Sequence, residues 1–423
     1  MIRTATAVRR RARVRRASLL AFLAVMGPGI ITGFAGNDAG GVTTYTAVGA
    51  HYGFALLWLL LLSTAGLIVV QEMCARMGAV TGKGLSDLIR ERFGVRWTIV
   101  AMLALLVANG SNIVAEYAGI AASLELFHVE RIVSVPIAAV LIWVLVVFFS
   151  YRIVERALFV LVLAYIAYPI SAFIVGPPWG EVVRDTVLPS LPLEQAALIA
   201  ALALVGTTIT PYMQFYIQAS VVDKGIDKEQ YRFERVDVML GAILTGLNGF
   251  FLIVVAGAVL HPAGVHVDTA ADAARALGPL AGPNAQLLFG VGLFGASLLA
   301  ATVMPLSTSY AICEAFGWES GISKNFREAP VFMGLFTLLV VVGAVIVLSP
   351  QIPLIPLILV SQNVNGLLLP IVLVFILKLA GDRGVMGEQA NGRLSQVIGI
   401  GTAIGASALS ITLVAITILG AIP

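Results

Sequence analysis

Long apolar runs separated by short polar stretches make up almost the whole chain. At about 20 apolar residues per membrane crossing, eleven crossings are expected, over roughly 18–50, 53–78, 97–127, 132–150, 156–176, 193–222, 236–260, 284–317, 330–349, 353–379 and 396–421. Two of these runs are interrupted in the middle. In the first, Asp38 stands among Gly36, Gly40 and Gly41. An aspartate at a helix centre costs about 2.5–3.5 kcal/mol on insertion scales, and each glycine weakens a helix by about 1 kcal/mol relative to alanine. The helix is therefore expected to stop at Asp38. Two arrangements follow: a break whose freed carbonyls and one carboxylate form a cation site of hard oxygens, or a kinked helix whose Asp pairs with a buried Lys or Arg. No basic residue lies at membrane depth in the other runs, which favours the cation site.

The sixth run is interrupted at Gly206-Thr207-Thr208-Ile209-Thr210-Pro211. Pro211 removes a backbone donor and clashes with the preceding turn, and the threonines bond locally to the backbone. The pattern fits either an ordinary proline kink or a second true break. Its position argues for a break, because the first and sixth of ten runs lie five helices apart. A unit of five helices re-enters the membrane from the opposite side. The expected fold is therefore an all-α polytopic membrane protein with a 5+5 inverted repeat. Residues 18–176 and 193–379 form the two repeats, 396–421 is an additional eleventh helix, and the site lies at the midplane between broken helices one and six.

Composition agrees. Only 12% of the 423 residues are charged and mean hydropathy is +0.98, against about 25% charged in soluble proteins. Residues 1–17 hold seven arginines. With that basic arm cytoplasmic, 23 of the 26 Lys and Arg fall on the cytoplasmic side and only Arg131, Arg184 and Arg275 outside. This bias sets the N-terminus in the cytoplasm and the C-terminus outside, in the cell's inner membrane. The lipid bilayer is the expected partner; neither a cofactor nor a nucleic-acid partner is expected, and no oligomeric state can be read.

Other polar groups in the runs need an account. Run ten carries Ser361-Gln362-Asn363-Val364-Asn365; either the amides cross-bond helices or Gln362 faces the ion. Glu116 is either a pathway group or a buried, hydrogen-bonded carboxyl. Glu72 has an ion-pair spacing to Arg76. Glu314 is expected to pack or gate near the end of run eight, and Asp87 to be solvated. Cys74 and Cys313 read as small core residues, and the four histidines as scattered at run ends, without a zinc-type cluster. No nucleotide-binding loop or hydrolase signature is present, so no enzymatic activity is expected.

Gly27-Pro28-Gly29, Asp38-Ala39-Gly40-Gly41, Gln71 to Lys83, Ala115-Glu116, the 206–220 stretch and Ser361-Gln362 together resemble the Nramp family of divalent-metal transporters, over most of the chain. The resemblance implies a leucine-transporter-type fold and a metal site at Asp38, Gly41, Thr207, Thr210 and Gln362. It also exposes departures. The family's Asp-Pro-Gly-Asn motif ends here in Gly41. Its Ala and Met-Pro-His positions read Thr207 and Thr210-Pro211-Tyr212, and the acid that partners Glu116 on the third helix is Ile113.

A thioether selects soft metals, whereas carboxylate, carbonyl, hydroxyl and water suit Mg²⁺, Ca²⁺ and Mn²⁺. The expected substrate is thus Mg²⁺, with Mn²⁺ beside it, carried largely hydrated. With Tyr212 in place of histidine, uptake is expected to run without protons, on a membrane potential worth about 4.6 kcal/mol per dication at 100 mV. The alternatives are a proton-coupled Mn²⁺/Fe²⁺ symporter and a sodium-coupled amino-acid symporter, whose carboxylate substrate Asp38 would repel.

Overall fold

A computed structural model describes residues 37–148, 166–192, 194–321, 324 and 326–420. The basic arm 1–17, the Gly27-Pro28-Gly29 motif and the first half of run one lie outside the described residues, as does run five up to residue 165. Among the described residues the chain is all helix, with no strand. In order, the helices are α1 Ala39–Tyr52, α2 Leu57–Thr81, α3 Leu85–Glu125, α4 Arg131–Phe148, α5 Ala167–Val175, α6 Trp179–Val187, α7 Gln195–Thr208, α8 Pro211–Asp223, α9 Tyr231–Val259, α10 Ala285–Phe316, α11 Pro330–Val347, α12 Leu354–Gly381 and α13 Arg393–Gly420. Nine helical stretches among the described residues, with α7 and α8 taken as one, are long and apolar enough to cross a membrane. Of the eleven expected runs, 18–50 and 156–176 are described only over their later part, and 132–150, 193–222 and 396–421 over all but one or two end residues.

The interruption expected in run six is present, and the described part of run one is a helix that starts just after Asp38. Asp38 is extended (φ −70°, ψ −171°) and α1 begins at the next residue. Between α7 and α8, Ile209 (φ −116°, ψ 63°) and Thr210 (φ −68°, ψ 134°) leave helical geometry, and Pro211 opens α8. Proline at a first helical position loses nothing, since that N–H has no partner within the helix anyway.

The third run begins earlier than its apolar stretch predicts. Residues 85–93 are helical too, joined to the spanning part through Gly94, whose φ of 78° only glycine adopts without strain. The expected loop is a charged helical turn. Arg90, Arg92 and Arg96 on it are exposed, while Asp87 is half-buried rather than fully solvated.

Helix α3 is the central strut, packed along α10 and α12, while α1 lies along α9 and α7 crosses α12. The outer faces of α4 and α13 are apolar and open, with Ile132, Ile137, Val140, Leu394, Val397 and Ile411 exposed. Such a surface suits lipid, in which every backbone group is already satisfied within its helix.

Polar contacts tie one end of the bundle together. Glu72 pairs with Arg76 at 3.3 Å, as its spacing predicts, and also accepts the Tyr231 hydroxyl. Arg76 in turn donates to the Gln389 carbonyl (2.5 Å) and Asn391 Oδ1 (2.6 Å). Cys74 and Cys313 are buried free thiols.

Candidate functional site

The site is built on the start of α1, deep inside the bundle. Asp38 is 2% exposed, and its Oδ1 accepts the Gly41 N–H at 2.8 Å, so the carboxylate N-caps α1. Three factors make this a helix start: an Asp with cap preference, glycines behind it, and a positive helix end that welcomes an anion. A second carboxylate meets the same helix end. Glu116 of α3, fully buried, accepts the Ala39 N–H on Oε2 at 3.2 Å. Its Oε1 has no hydrogen-bond partner among the described residues. Among those residues no ion pair joins either carboxylate to a basic side chain.

Gln362 of α12 closes over this start. A Cβ on Gly40 would fall 2.0 Å from Gln362 Nε2 and 3.1 Å from Asp38 Oδ1, so the amide and the carboxylate face each other across a bare glycine. The amide is held from behind. Gln362 Nε2 donates to Asn112 Oδ1 (3.0 Å) and Ser361 Oγ (2.8 Å). Asn365 Nδ2 donates to Asn112 Oδ1 (2.7 Å) and Gln362 Oε1 (3.0 Å), and Asn112 Nδ2 returns a bond to Asn365 Oδ1 at 3.2 Å. Of the two open readings of run ten, cross-bonding is present, since Asn365 and Gln362 tie α12 to Asn112 of α3; Gln362 also lies beside Gly40 at the Asp38 helix start. Asn363 does neither across helices; its Nδ2 donates to Leu359 O on its own helix.

The α7–α8 break forms the other wall. Gly206 carries it against α12, since a Cβ there would lie 2.2 Å from the Gln362 carbonyl and 2.5 Å from Gly366 N. Thr207 and Thr210 are buried. The Thr210 hydroxyl turns back onto the Thr207 carbonyl (3.0 Å) and the Gly206 carbonyl (3.3 Å). It stands in for the helical N–H that Pro211 lacks, and so keeps the break closed. This is the local backbone bonding expected of the threonines in this run. Thr208, not counted among the expected lining residues, donates to Leu204 O and pairs with Tyr45 of α1 at 3.1 Å. Tyr212 is buried within electrostatic reach of Asp38 and Glu116.

Asp38, Gly40, Gly41 and Gln362 are therefore brought together, with Glu116 at the same helix end. Thr207 and Thr210 line the adjoining break, and no direct contact joins them to Asp38. Asn112, Asn365 and Tyr45 complete the setting. Their signal in the sequence was a polar group at membrane depth, which needs a partner. The arrangement offers carboxylate, carbonyl, hydroxyl and amide oxygens and no thiolate or imidazole, a donor set for a hard cation. Among the described residues no group of three or more His, Cys, Asp or Glu side chains converges to hold a metal.

The family described as "Natural resistance-associated macrophage protein-like" matches residues 29–416. The chain belongs to the Nramp family. Its Nramp relatives include the "Divalent metal cation transporter MntH" of Erwinia tasmaniensis, 28% identical over 89% of this chain and 90% of that one. The protein of the same name from Bacillus subtilis is 24% identical over 89% and 88%. Among solved structures, the Eremococcus coleocola manganese transporter superposes with a TM-score of 0.76 at 24% identity, covering 92% of this chain and 85% of that one. MhsT in complex with L-phenylalanine superposes with a TM-score of 0.58 at 16% identity, over 91% and 97%. The Nramp fold is thus also similar to that of a protein solved with a bound amino acid.

Proposed function

We propose that this Nramp protein carries a divalent metal cation across the membrane, with the Asp38 carboxylate as the charged ligand of its cargo. The observation that carries the reading is a buried carboxylate at a helix start, unpaired by any basic group among the described residues and faced by a fixed amide. Oxygens of the α7–α8 break complete the setting. A sodium-coupled amino-acid carrier would need the helix starts free for a substrate carboxylate, and here Asp38 and Glu116 already occupy that of α1.

The cargo we put first is Mn²⁺, ahead of the Mg²⁺ expected from the residues alone. The Eremococcus coleocola relative is named for manganese and the MntH proteins for divalent metal cations, and those names favour the manganese alternative. Manganese is also compatible with an all-oxygen site. Magnesium stays as a second reading on one specific observation: Thr210 and Gly41 stand where the family has a thioether and an amide. Proton coupling likewise returns to consideration. Glu116 lies at the same helix end as Asp38 with one oxygen free, so a titratable group adjoins the cargo even though Tyr212 and Ile113 replace its partners.

The finer architecture belongs to the same proposal. It comprises a 5+5 inverted repeat, an eleventh helix, a cytoplasmic N-terminus and an outer C-terminus in the plasma membrane, with no catalytic chemistry and no cofactor. Uptake of Mn²⁺ into proteoliposomes, with Mg²⁺ and Ca²⁺ as competitors, tests the cargo. Saturable Mn²⁺ uptake that vanishes in Asp38→Ala is expected. Uptake unaffected by that substitution would overturn the proposal, and Mg²⁺ competing at equal concentration would move magnesium to first place.

A further inference from the structure

The four histidines, which look scattered in the sequence, are not all apart in the fold. His51 in the last turn of α1 and His266 in the segment between α9 and α10 meet, His266 Nδ1 to His51 Nε2 at 2.9 Å. Both side chains are exposed. His51 Nδ1 lies 2.9 Å from the Ala47 carbonyl. A carbonyl only accepts, so that nitrogen carries the proton and leaves Nε2 with its lone pair toward His266. A ring fixed in this way through its other nitrogen is the usual support of a metal-binding histidine.

We infer that His51 and His266 form a two-imidazole site for a borderline transition cation of the Ni²⁺ or Cu²⁺ type, separate from the Asp38 site. Imidazole nitrogens bind such ions at about 2.0–2.1 Å. Two nitrogens at that distance and 2.9 Å apart subtend about 90°, the cis angle of the tetragonal geometry these ions prefer. A small swing of two exposed rings brings the lone pairs to one point. The ion displaces the His266 Nδ1 proton, which moves to Nε2 of the same neutral ring. No third His, Cys, Asp or Glu joins them among the described residues, so water completes the shell. Hard Mg²⁺ and Mn²⁺ gain little from imidazole.

The site bridges the far end of α1 to a segment already fastened there by His261, whose Nδ1 lies 3.0 Å from the Ala50 carbonyl. An ion bound here ties the helix that begins at Asp38 to its neighbour. Ni²⁺ should therefore slow Mn²⁺ uptake, a consequence that rests on the proposed function, whereas the binding itself does not.

The test uses full-length protein without a polyhistidine tag, in an Asp38→Ala background that removes the other site. Calorimetric titration with Ni²⁺ should show one site, weakened at least about tenfold by His51→Ala or His266→Ala. In electron paramagnetic resonance, Cu²⁺ should couple to two nitrogens in the parent and one in either variant. Ni²⁺ affinity unchanged by His266→Ala, or absent once Asp38 is gone, would overturn the inference. Failure of the transport proposal has a different signature: no Mn²⁺ uptake, with Ni²⁺ binding intact.

Discussion

Asp38 does two things, and two substitutions separate them. As N-cap of α1 it holds the Gly41 N–H at 2.8 Å; on the proposed function, its carboxylate also supplies charge to the cargo. Asp38→Ala removes both, Asp38→Asn only the second, because asparagine caps as well as aspartate. Loss of the cap costs about 1 kcal/mol, with up to about 1 kcal/mol more from the lost charge at the helix end. The electrostatic part is larger. A dication about 4 Å from a unit negative charge, at an effective dielectric of about 20, is attracted by about 8 kcal/mol before dehydration is counted. If only a third survives, about 2.7 kcal/mol, affinity still falls about a hundredfold on neutralisation. The assay pairs Mn²⁺ uptake in proteoliposomes with thermal unfolding in detergent. Both variants should lose uptake, and Asp38→Asn, which loses the charge but keeps the cap, should melt between wild type and Asp38→Ala. Uptake by Asp38→Asn within a few-fold of wild type would refute the charged-ligand argument. Equal destabilisation of both variants would refute the capping argument.

Gly206→Ala should destabilise by about 1–3 kcal/mol, near the upper end, because the new methyl meets the Gln362 carbonyl and Gly366 N rather than a yielding side chain; an unchanged melting temperature would contradict the close crossing. Glu116→Gln keeps an acceptor for the Ala39 N–H while removing the titratable group, so the fold should persist and the pH dependence of uptake should flatten; an unaltered pH profile would exclude Glu116 from coupling. Thr210→Met combined with Gly41→Asn should raise the ratio of Mn²⁺ to Mg²⁺ uptake, since a thioether favours the softer ion, and a constant ratio would count against softness as the selector.

What could be read from the chain was whatever a single polar group in an apolar run dictates. Asp38 and Pro211 announced the two breaks because neither fits a continuous membrane helix, and Gln362 announced a buried partner. Partnerships across helices stayed hidden. Nothing local says that Asn112 closes a ring of amides with Gln362 and Asn365, or that Glu116 reaches the first amide of α1. The extension of α3 to Leu85 was missed for a different reason: a charged amphipathic turn looks like a loop to a hydropathy criterion, and Gly94 looks like its end. The His51–His266 meeting was invisible because 215 positions separate the two. Thr210 was legible as a residue that bonds locally to the backbone, and the carbonyl freed by Pro211 takes its proton.

The crossing of α7 over α12 sets an upper limit on the size of its own residues. With Gly206 on Gly366 and Gly366 against the Leu202 carbonyl, the two main chains touch with no side chain as spacer. Neither chain can be pushed nearer, and any added carbon must be answered by prying the pair apart. Thr207 and Gln362 each sit one step from this seam, so the width of the gap between them is gauged by bare backbone. A lineage that changed either glycine would be respacing the two walls beside Asp38, whatever it did to the polar side chains on them.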